Sequence, residues 1–484
     1  MHDDANKILD LLNSRFGFQK FKEPQGEIID HTLKGQSSLV ILPTGYGKSL
    51  CFQLPALVFD GLTVVISPLI ALMQDQVSVL RKKGISASFI NSSLTSEERA
   101  KRYQDLENRQ YKIIYVTPER FKKPEFLKAL SKNKVSLMAV DEAHCISQWG
   151  HDFRPEYSRV DEFIQIMGNP AVMALTATAT EKTQNEICQK LNITKKFITG
   201  VERPNLSLNV HSVYGLDEKI RNFVGLIHQI QGAKIIYTSL ISTLYKVADE
   251  FSRLGISFYV YHGDLTSQQR VQNQKDFLGS SNGLMLATPA FGLGIDKPNI
   301  RGVFHAEIPA SIEAYFQEIG RAGRDSQDSF CHLMFDEDDI SIQAEFLKWS
   351  TPDPGFIKTV FHLIQAGGPG LANDGIDFLR EKMNFYNKRD YRVETSVNLL
   401  ERWGCLESDR SRLGFRAVSE PESHDLDVNL HKLRVNNLNQ KLYEMVSYAK
   451  DTSRCRQAAV LSYFGVQFPD CGKCDVCCAE VKTL

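Results

Sequence analysis

Short apolar segments alternate with helical patterns from about residue 39 to about residue 335 of this 484-residue chain. Such alternation predicts parallel β-sheets whose strands are joined by crossover helices. The candidate strands form two series, divided near Thr199–Asn205, where Gly, Pro and Asn cluster. The first series is Leu39–Leu42, Thr63–Ile66, Lys112–Val116, Leu137–Val140 and Val172–Leu175. The second series is Lys234–Tyr237, Ser257–Tyr261, Leu284–Ala287, Gly302–His305 and Cys331–Phe335. The sequence therefore predicts two α/β domains in tandem, followed by a mostly helical region.

The composition excludes several classes of protein. Hydrophobic residues make up 42% of the chain and charged residues 24%, which is typical of a globular protein of several domains and excludes wholesale disorder. The formal net charge is −1, so nucleic-acid binding would need local basic patches. The chain lacks a long apolar run and begins with the acidic residues MHDDANKILDLL, so we expect neither a membrane span nor a signal peptide.

Pro43–Ser49, PTGYGKS, follows a predicted strand and precedes a helical pattern. A glycine-rich turn in this place exposes backbone N–H groups that can cradle phosphates. Lys48 would reach the β- and γ-phosphates of a nucleotide, and Ser49 would bind Mg²⁺. A strict match would have Gly where Leu42 stands, so a chance turn is the alternative. The loop positions assigned to the nucleotide are Thr44, Gly45, Gly47, Lys48 and Ser49.

Asp141–His144, DEAH, comes directly after the predicted strand Leu137–Val140. A carboxylate at the C-terminal end of a parallel strand faces the ligand crevice of an open α/β sheet. Asp141 could therefore hold Mg²⁺, and Glu142 could orient and deprotonate an attacking water. Two solvated acids at the start of a helix are the alternative interpretation.

Gln317–Arg324, QEIGRAGR, lies in the second series. We expect Arg321 and Arg324 on one face of a helix, since they are three residues apart. They would complete the nucleotide site from the second domain, with Gln317 also near the nucleotide. A solvated basic helix end is the alternative.

These motifs occur in the order typical of the RecQ family of superfamily 2 DNA helicases, and the chain resembles that family over about residues 14–340 and 430–478. Phe16–Gln25 resembles the adenine-reading motif of the family, which implies that Phe18, Lys22 and Gln25 contact the adenine base. The chain has Lys-Glu-Pro-Gln where the family has Arg-Pro-Gly-Gln. Other matching segments are Val65–Gln76, Thr117–Glu119, Leu175–Thr180 and Ala287–Pro298, whereas Thr238–Ser242 departs from the family pattern.

Cys145–Tyr157, CISQWGHDFRPEY, resembles the aromatic-rich loop of the family, which senses single-stranded DNA and signals to the ATP site. Exposed aromatic rings can stack on bases without reading their sequence. The alternative is that these rings are ordinary core residues. The residues assigned to DNA coupling are His144, Gln148, Trp149, Phe153 and Arg154.

Ten cysteines are present, and five of them fall in the last 30 residues, which indicates a metal site in a reducing cytoplasm rather than a disulfide framework. The spacing Cys455-x₁₅-Cys471-x₂-Cys474-x₂-Cys477 suits four thiolates around tetrahedral Zn²⁺ and resembles the RecQ zinc module. A redox pair is one alternative, and Cys478 in place of Cys477 is another. Because the sequence ends soon after this cluster, we expect a short form of the family without the C-terminal helicase-and-RNase-D-like domain.

Residues 346–425 stand where the family has a short connection. Helical patterns at Phe356–Gln365, Ile376–Phe385 and Val393–Trp403, then an alternating segment at Arg410–Val418, resemble a winged helix. Between residues 380 and 416 nine Lys/Arg face six Asp/Glu, a modest excess, so a structural spacer is the alternative to a DNA-binding surface. The recognition-like helix Val393–Trp403 begins beside Arg392 and carries Arg402, and the wing would carry Arg410, Arg412 and Arg416.

The predicted protein is an ATP-driven DNA-unwinding enzyme that uses ATP, Mg²⁺ and Zn²⁺. We expect a first RecA-like domain at residues 1–203, a second at 204–342, the winged-helix-like insertion at 343–425 and a helical platform with the zinc module at 426–484. The resemblance implies 3′-to-5′ movement, a role in recombination or repair, and binding to single-stranded and forked or duplex DNA. A cytoplasmic monomer, nucleoid-associated in a bacterium, is expected, with single-stranded-DNA-binding protein as a candidate partner. An RNA-directed ATPase and a non-catalytic scaffold are the alternatives.

Overall fold

The structure is a computed structural model of the chain. It describes residues 2–481 except positions 44, 69, 92, 148–156, 158, 200–201, 293–296, 368–370, 372–373, 384–389 and 409–414. Within these residues no helix is both long enough and apolar enough to cross a membrane.

The first domain is built on a seven-stranded sheet in which all neighbouring strands are parallel. Its strands are β1 Ser38–Ile41, β2 Leu62–Ile66, β3 Ala87–Ile90, β4 Ile113–Val116, β5 Val135–Val140, β6 Ala171–Thr176 and β7 Lys195–Ile198. They lie in the order β3-β4-β2-β5-β6-β1-β7. Strands β1, β2 and β4 are buried along their whole length, as expected for a sheet covered on both faces.

Helices cover both faces of this sheet. They are α1 His2–Leu11, α2 Gln25–Leu33, α3 Lys48–Val58, α4 Ile70–Lys82, α5 Ser96–Glu107, α6 Pro124–Leu130, α7 Val160–Ile166 and α8 Glu181–Lys190. Successive strand residues alternate between two apolar clusters, with Ile41 in one and Val40 in the other, because side chains along a strand point to opposite faces.

The second domain holds a six-stranded parallel sheet in the order β10-β11-β9-β12-β13-β8. Its strands are β8 Leu206–Ser212, β9 Ala233–Tyr237, β10 Tyr259–Tyr261, β11 Leu284–Ala287, β12 Ile300–His305 and β13 Ser329–Phe335. Its helices are α9 Gly215–Gln229, α10 Ile241–Arg253, α11 Ser267–Gly279 and α12 Ile312–Ile319. The predicted α/β class with two parallel sheets in tandem is therefore confirmed.

Three strands of the two parallel sheets were missing from the sequence-based prediction. Strands β7 and β8 lie at sheet edges, where one side of the strand is open and polar residues such as Lys195 and His211 are tolerated. Strand β3 is a third edge strand and carries Ser88. Edge strands lack the continuous apolar runs that reveal the central strands of a parallel sheet.

The remaining chain is mostly helical, as predicted. Its elements are α13 Asp339–Ser350, α14 Pro354–Ala366, α15 Ile376–Lys382, α16 Arg392–Arg402, β14 Leu406–Ser408, β15 Phe415–Ala417, α17 Val428–Lys450, α18 Arg456–Tyr463 and α19 Asp475–Val481. Helices α14 to α16 and the antiparallel hairpin β14–β15 share an apolar cluster of their own, which includes Phe361, Val397 and Leu406. The three helices match the predicted helical patterns, and β15 lies within the predicted alternating segment Arg410–Val418, whereas β14 precedes it.

The helices after the insertion pack on the second domain. Met445 and Tyr448 of α17 and Phe464, just after α18, belong to the same apolar cluster as strands β9 and β12 and helix α12. The ring of Phe464 lies 5.1 Å from that of Phe316, between centroids. The zinc module therefore shares a core with the second domain, close to the helix that leads to the predicted arginines.

Candidate functional site

The glycine-rich loop joins β1 to α3 in the way the sequence predicts. Gly45 and Gly47 have φ of +80° and +89°, a left-handed conformation that favours glycine. A Cβ atom on Gly47 would lie 2.6 Å from Nε2 of Gln25, and one on Gly45 would lie 2.9 Å from Cδ of Arg324. The loop is thus enclosed by Gln25 on one side and Arg324 on the other, whereas Thr44 lies outside the described residues.

Lys48 begins α3, and its ammonium group folds back onto the loop. Nζ donates hydrogen bonds to the carbonyl oxygens of Leu42 at 3.0 Å and Pro43 at 3.4 Å. Burial lowers the pKa of Lys48, and the nearby carboxylates of Glu142 and Asp141 act in the opposite direction. The charged group is therefore held close to where the loop would place phosphates. Ser49 follows it on the first turn of α3.

Asp141 and Glu142 directly follow β5 in the sheet. The Asp141 carboxylate accepts hydrogen bonds from the Ser67 hydroxyl at 3.4 Å and from the Glu142 N–H at 3.1 Å. Burial and then the neighbouring Glu142 raise the pKa of Asp141 to about 7. A half-buried carboxylate pair near a phosphate-type loop fits Mg²⁺, because a divalent cation would relieve the repulsion between the two acids.

A chain of side chains leads from Glu142 to the second domain. His144 is buried, with Nδ1 3.4 Å from a Glu142 carboxylate oxygen and 2.9 Å from the Thr176 hydroxyl. That hydroxyl donates to the Thr178 carbonyl at 3.0 Å, and the Gln317 amide donates to the Thr178 hydroxyl at 3.4 Å. The DEAH segment is thus linked across the domain interface through Leu175–Thr180, one of the segments that match the family pattern.

The expected placement of Arg321 and Arg324 on one helix face is wrong. Helix α12 ends at Ile319, and both arginines lie in the following turn. Arg324 approaches Gly45 of the phosphate loop, whereas Arg321 is buried and donates to the carbonyl oxygen of Gly292 in its own domain. The turn separates the two side chains, so only Arg324 faces the loop of the first domain.

The residues assigned to contact with the adenine base lie beside the phosphate loop. Gln25 is buried, accepts from the Lys22 N–H at 3.0 Å and donates to the Tyr46 carbonyl at 3.0 Å. The Lys22 ammonium lies 5.3 Å from the centre of the Tyr46 ring, and Phe18 is 55% exposed, which leaves its ring available for contact. The segment is therefore joined to the phosphate loop through Gln25.

Gln148, Trp149, Phe153 and Arg154 lie outside the described residues. The residues that flank this segment are described, and Ser147 and Tyr157 are both buried. The Tyr157 hydroxyl lies 3.4 Å from the Asp141 carbonyl oxygen. Both ends of the predicted aromatic-rich loop are therefore held close to the DEAH segment.

The four predicted zinc ligands come together, since one sulfur from each of Cys455, Cys471, Cys474 and Cys477 lies within 4.8 Å of the others. Four sulfurs at about 2.3 Å from Zn²⁺ would be about 3.8 Å apart, so a small contraction makes a tetrahedral site. Backbone N–H groups already point at two sulfurs, from Cys471 to Cys455 at 3.2 Å and from Cys477 to Cys474 at 3.4 Å. Cys478 is exposed and lies outside this group.

Arg456 anchors the cysteine cluster from inside. Its guanidinium is buried, pairs with Asp475 at 2.8 Å, and donates to the carbonyl oxygens of Tyr448 at 2.6 Å and Asp451 at 2.8 Å. The Arg456 N–H also lies 3.5 Å from the Cys474 sulfur. Helices α17, α18 and α19 therefore meet at one side chain next to the metal ligands.

The exposed face of α16 differs from the predicted basic surface. Tyr391, Asn398 and Arg402 are exposed on one side of the helix, at the spacing of successive turns. Arg392, in contrast, is half-buried and pairs with Asp390 at 2.8 Å. Arg392, which precedes the predicted recognition-like helix, is therefore tied to its neighbour and does not belong to the exposed side of α16.

The wing shows one of its three predicted arginines. Arg416 on β15 is 76% exposed and pairs with the exposed Glu407 of β14. Exposed pairs of this kind are weak, so the guanidinium can exchange its partner for a phosphate. Arg410 and Arg412 lie outside the described residues.

Three protein-family models match the chain. The DEAD/DEAH box helicase model covers residues 22–187, the helicase conserved C-terminal domain covers 218–326, and the RecQ zinc-binding model covers 417–478. Among solved structures, S. cerevisiae Dbp5 bound to RNA and ADP BeF3 aligns with a TM-score of 0.55 and 17% identity, over 71% of this chain and 92% of that chain. At this identity the likeness concerns the fold, which consists of two RecA-like domains.

Two curated relatives are similar in sequence. The ATP-dependent DNA helicase RecQ of Bacillus subtilis is 43% identical over 344 residues, which are 70% of this chain and 58% of the relative. The ATP-dependent DNA helicase RecQ of Synechocystis is 33% identical over 98% of both chains. This chain thus spans little more than half of the first relative but nearly all of the second. The chain therefore belongs to the RecQ family of helicases.

Proposed function

We propose that this protein hydrolyses ATP to move along single-stranded DNA and to separate the strands of a duplex. The observation that carries the proposal is the connection of Glu142 to Gln317 through His144, Thr176 and Thr178. Such a connection lets the opening and closing of the cleft between the domains change the position of Glu142. The family relatives named as DNA helicases support DNA as the track.

Each residue near the cleft has a distinct task in this proposal. Backbone N–H groups of the loop and the Lys48 ammonium hold the phosphates, while Glu142 accepts a proton from the attacking water. Arg324 reaches the γ-phosphate from the second domain and stabilises the charge that develops during transfer, which is worth about 10³–10⁵ in rate for an arginine in this role. Bound Mg²⁺, held by Ser49 and Asp141, supplies charge neutralisation of the phosphate oxygens.

The resemblance to the family supports movement from 3′ to 5′, and the position of the cysteine cluster supports a structural zinc. Zn²⁺ held by the four thiolates supplies folding energy to a small module. The buried Arg456 and the core shared with α12 place this module beside the arginine-bearing turn.

The insertion is proposed to grip duplex DNA. Tyr391, Asn398 and Arg402 form a stripe that combines an aromatic ring, an amide and a guanidinium, and Arg416 projects from the hairpin. Phosphate contacts from such groups position a duplex without reading its sequence. An Arg402→Ala/Arg416→Ala variant should keep its ATPase rate on saturating single strands but bind forked DNA more weakly. The slope of log affinity against log salt concentration should fall by about one unit per lost phosphate contact. Unchanged fork affinity would identify the insertion as a spacer.

A comparison of nucleic acids tests the proposed function. ATP hydrolysis is measured with single-stranded DNA, with RNA of the same sequence, and without nucleic acid. Strong stimulation by DNA and weak stimulation by RNA is expected. Stimulation by RNA alone would point to an RNA-directed ATPase, and no hydrolysis under any condition would point to a non-catalytic scaffold.

A further inference from the structure

Arg203 lies in the connection between the two sheets and reaches the end of α12. One guanidinium nitrogen donates to the carbonyl oxygens of Ala322 at 2.6 Å and Gly323 at 3.0 Å, and the other lies 3.4 Å from the Gly320 carbonyl. The three carbonyl groups lie at the C-cap residue of α12 and in the turn that follows the helix. A guanidinium, with its planar set of five N–H donors, fits such a group of oxygens.

These carbonyl groups belong to the turn that carries Arg321 and Arg324. The same turn is held by Asn205, whose amide donates to the carbonyl oxygens of Gly323 at 2.8 Å and Gln327 at 2.9 Å. The backbone on both sides of Arg324 is therefore fixed by two side chains of the connecting segment. The turn is also held by the N–H of Gly323, which donates to Ile300, and by the ion pair of Asp325 with Arg301, but these contacts do not involve the carbonyl groups that Arg203 binds.

The zinc module holds the connecting segment from the other side. Gln457 of α18 is buried, and its amide donates to the carbonyl oxygens of Arg203 at 2.8 Å and Leu206 at 2.6 Å. In addition, the Ser207 hydroxyl donates at 2.6 Å to the carbonyl of Lys473, which lies between two of the zinc-site cysteines. The zinc module thus contacts Arg203, Leu206 and Ser207 through hydrogen bonds. The side chains of Arg203 and Asn205 hold the turn.

Arg203 also faces the cleft between the domains. It lines a narrow cavity together with Pro43 of the phosphate loop, Thr178 and Gln317. Arg203 is half-buried, and this burial lowers the pKa of its guanidinium. The residue therefore stands between the parts that must come together for catalysis.

We infer that Arg203 is a positioning residue for Arg324, and that Gln457 of the zinc module sets the position of Arg203. This inference rests on the proposed ATPase function and names the parts that align its second-domain arginine. Arg203 does not touch the nucleotide in this account. It acts by holding three carbonyl groups, so that Arg324 projects toward Gly45 when the cleft closes.

The first test is the turnover of ATP by Arg203→Ala in the full chain with zinc bound. A displacement of about 1 Å in a catalytic group can cost about 10²-fold in rate, so kcat for DNA-stimulated hydrolysis should fall by roughly that factor. The affinities for nucleotide and for single-stranded DNA should stay within about threefold, because the loss concerns the transition state. Arg203→Lys keeps the charge but cannot span three carbonyl groups, so it should lie between alanine and wild type. A wild-type kcat in both variants would overturn the inference. If the alanine variant does not fold, a wild-type kcat in Arg203→Lys alone would overturn it.

A double-mutant cycle with Arg324→Ala separates positioning from a general structural role. If Arg203 acts through Arg324, Arg203→Ala should lower kcat by less than about threefold when Arg324 is already alanine. Multiplication of the two losses would show that Arg203 acts independently of Arg324 and would overturn the inference. Arg253→Ala is the matched control, since this arginine is 76% exposed and pairs with Glu250 on the surface of α10. Its kcat should equal that of the wild type.

Gln457→Ala tests the part of the inference that concerns the zinc module. It should retain one zinc per chain and the wild-type affinity for nucleotide while kcat falls about tenfold, an effect that should also vanish in the Arg324→Ala background. An unchanged kcat would overturn this part. The outcomes also distinguish failure of the proposed function from failure of the inference about Arg203. Normal turnover in Arg324→Ala would contradict the proposed site itself, whereas loss in Arg324→Ala with normal turnover in Arg203→Ala would contradict only the inference.

Discussion

The buried ion pair between Lys441 and Glu313 offers a quantitative test of how the zinc module is attached. Lys441 lies on α17 and Glu313 on α12, and their side chains are 6% and 4% exposed. Replacing Lys441 with methionine keeps the aliphatic stem but leaves the Glu313 carboxylate buried without its cation. Loss of one partner of such a pair costs about 3–5 kcal/mol.

The same helix provides a matched control. Lys450 also lies on α17 and pairs with a glutamate, Glu337, but these side chains are 49% and 70% exposed. An exposed pair contributes about 0–1 kcal/mol, so Lys450→Met should change the free energy of unfolding little. At an m value of about 2 kcal/mol/M, Lys441→Met should lower the midpoint of urea unfolding by about 2 M.

The assay is urea unfolding of the zinc-bound protein followed by circular dichroism and by release of zinc. The double variant Lys441→Met/Glu313→Gln should recover much of the lost stability, because no buried charge is left alone. If Lys441→Met and Lys450→Met lowered the free energy of unfolding equally, the Lys441–Glu313 pair would not be buried. That result would place Lys441 in solvent and separate α17 from α12.

The remaining predictions concern the two sites and the aromatic loop. Lys48→Ala should weaken nucleotide binding, whereas Glu142→Gln should bind nucleotide normally and fail to hydrolyse it, as equilibrium binding and single-turnover assays can show. Metal analysis should give about one zinc per chain, and Cys474→Ser should lose zinc and melt at a lower temperature, while Cys478→Ser keeps both properties. Trp149→Ala should lose most of the stimulation of ATP hydrolysis by DNA with little change in nucleotide affinity, since stacking on a base is worth about 1–3 kcal/mol. A lowered melting temperature with intact stimulation would instead assign Trp149 to the core.

Much of the fold was predictable because the central strands of a parallel sheet are continuous apolar runs. The helices of the insertion and strand β15 also followed from local pattern, whereas β14 did not. Edge strands such as β7 and β8 escaped notice because polar residues interrupt them. The end of α12 at Ile319 was missed as well, although Gly320 and Gly323 beside the two arginines gave a local signal of a turn.

Contacts between distant segments could not be predicted from one sequence. Gln457 and Leu206 are 251 positions apart, and Gln317 and Thr178 are 139 apart, so no local pattern relates them. Charge counts likewise failed to show that Arg392 is paired with Asp390, because a count does not say which side of a helix a residue occupies. The motifs identified the residues assigned to nucleotide and metal, whereas the residues that position them are brought together by tertiary packing.

Strand separation by the purified protein is the direct test of ATP-driven unwinding. The assay follows release of a labelled strand from a duplex with a 3′ single-stranded tail, in the presence of ATP and Mg²⁺. We expect release that requires ATP, no release by Glu142→Gln, and little release when the tail is at the 5′ end. Release without ATP, or release by Glu142→Gln at the wild-type rate, would contradict the claim that hydrolysis at this site drives unwinding.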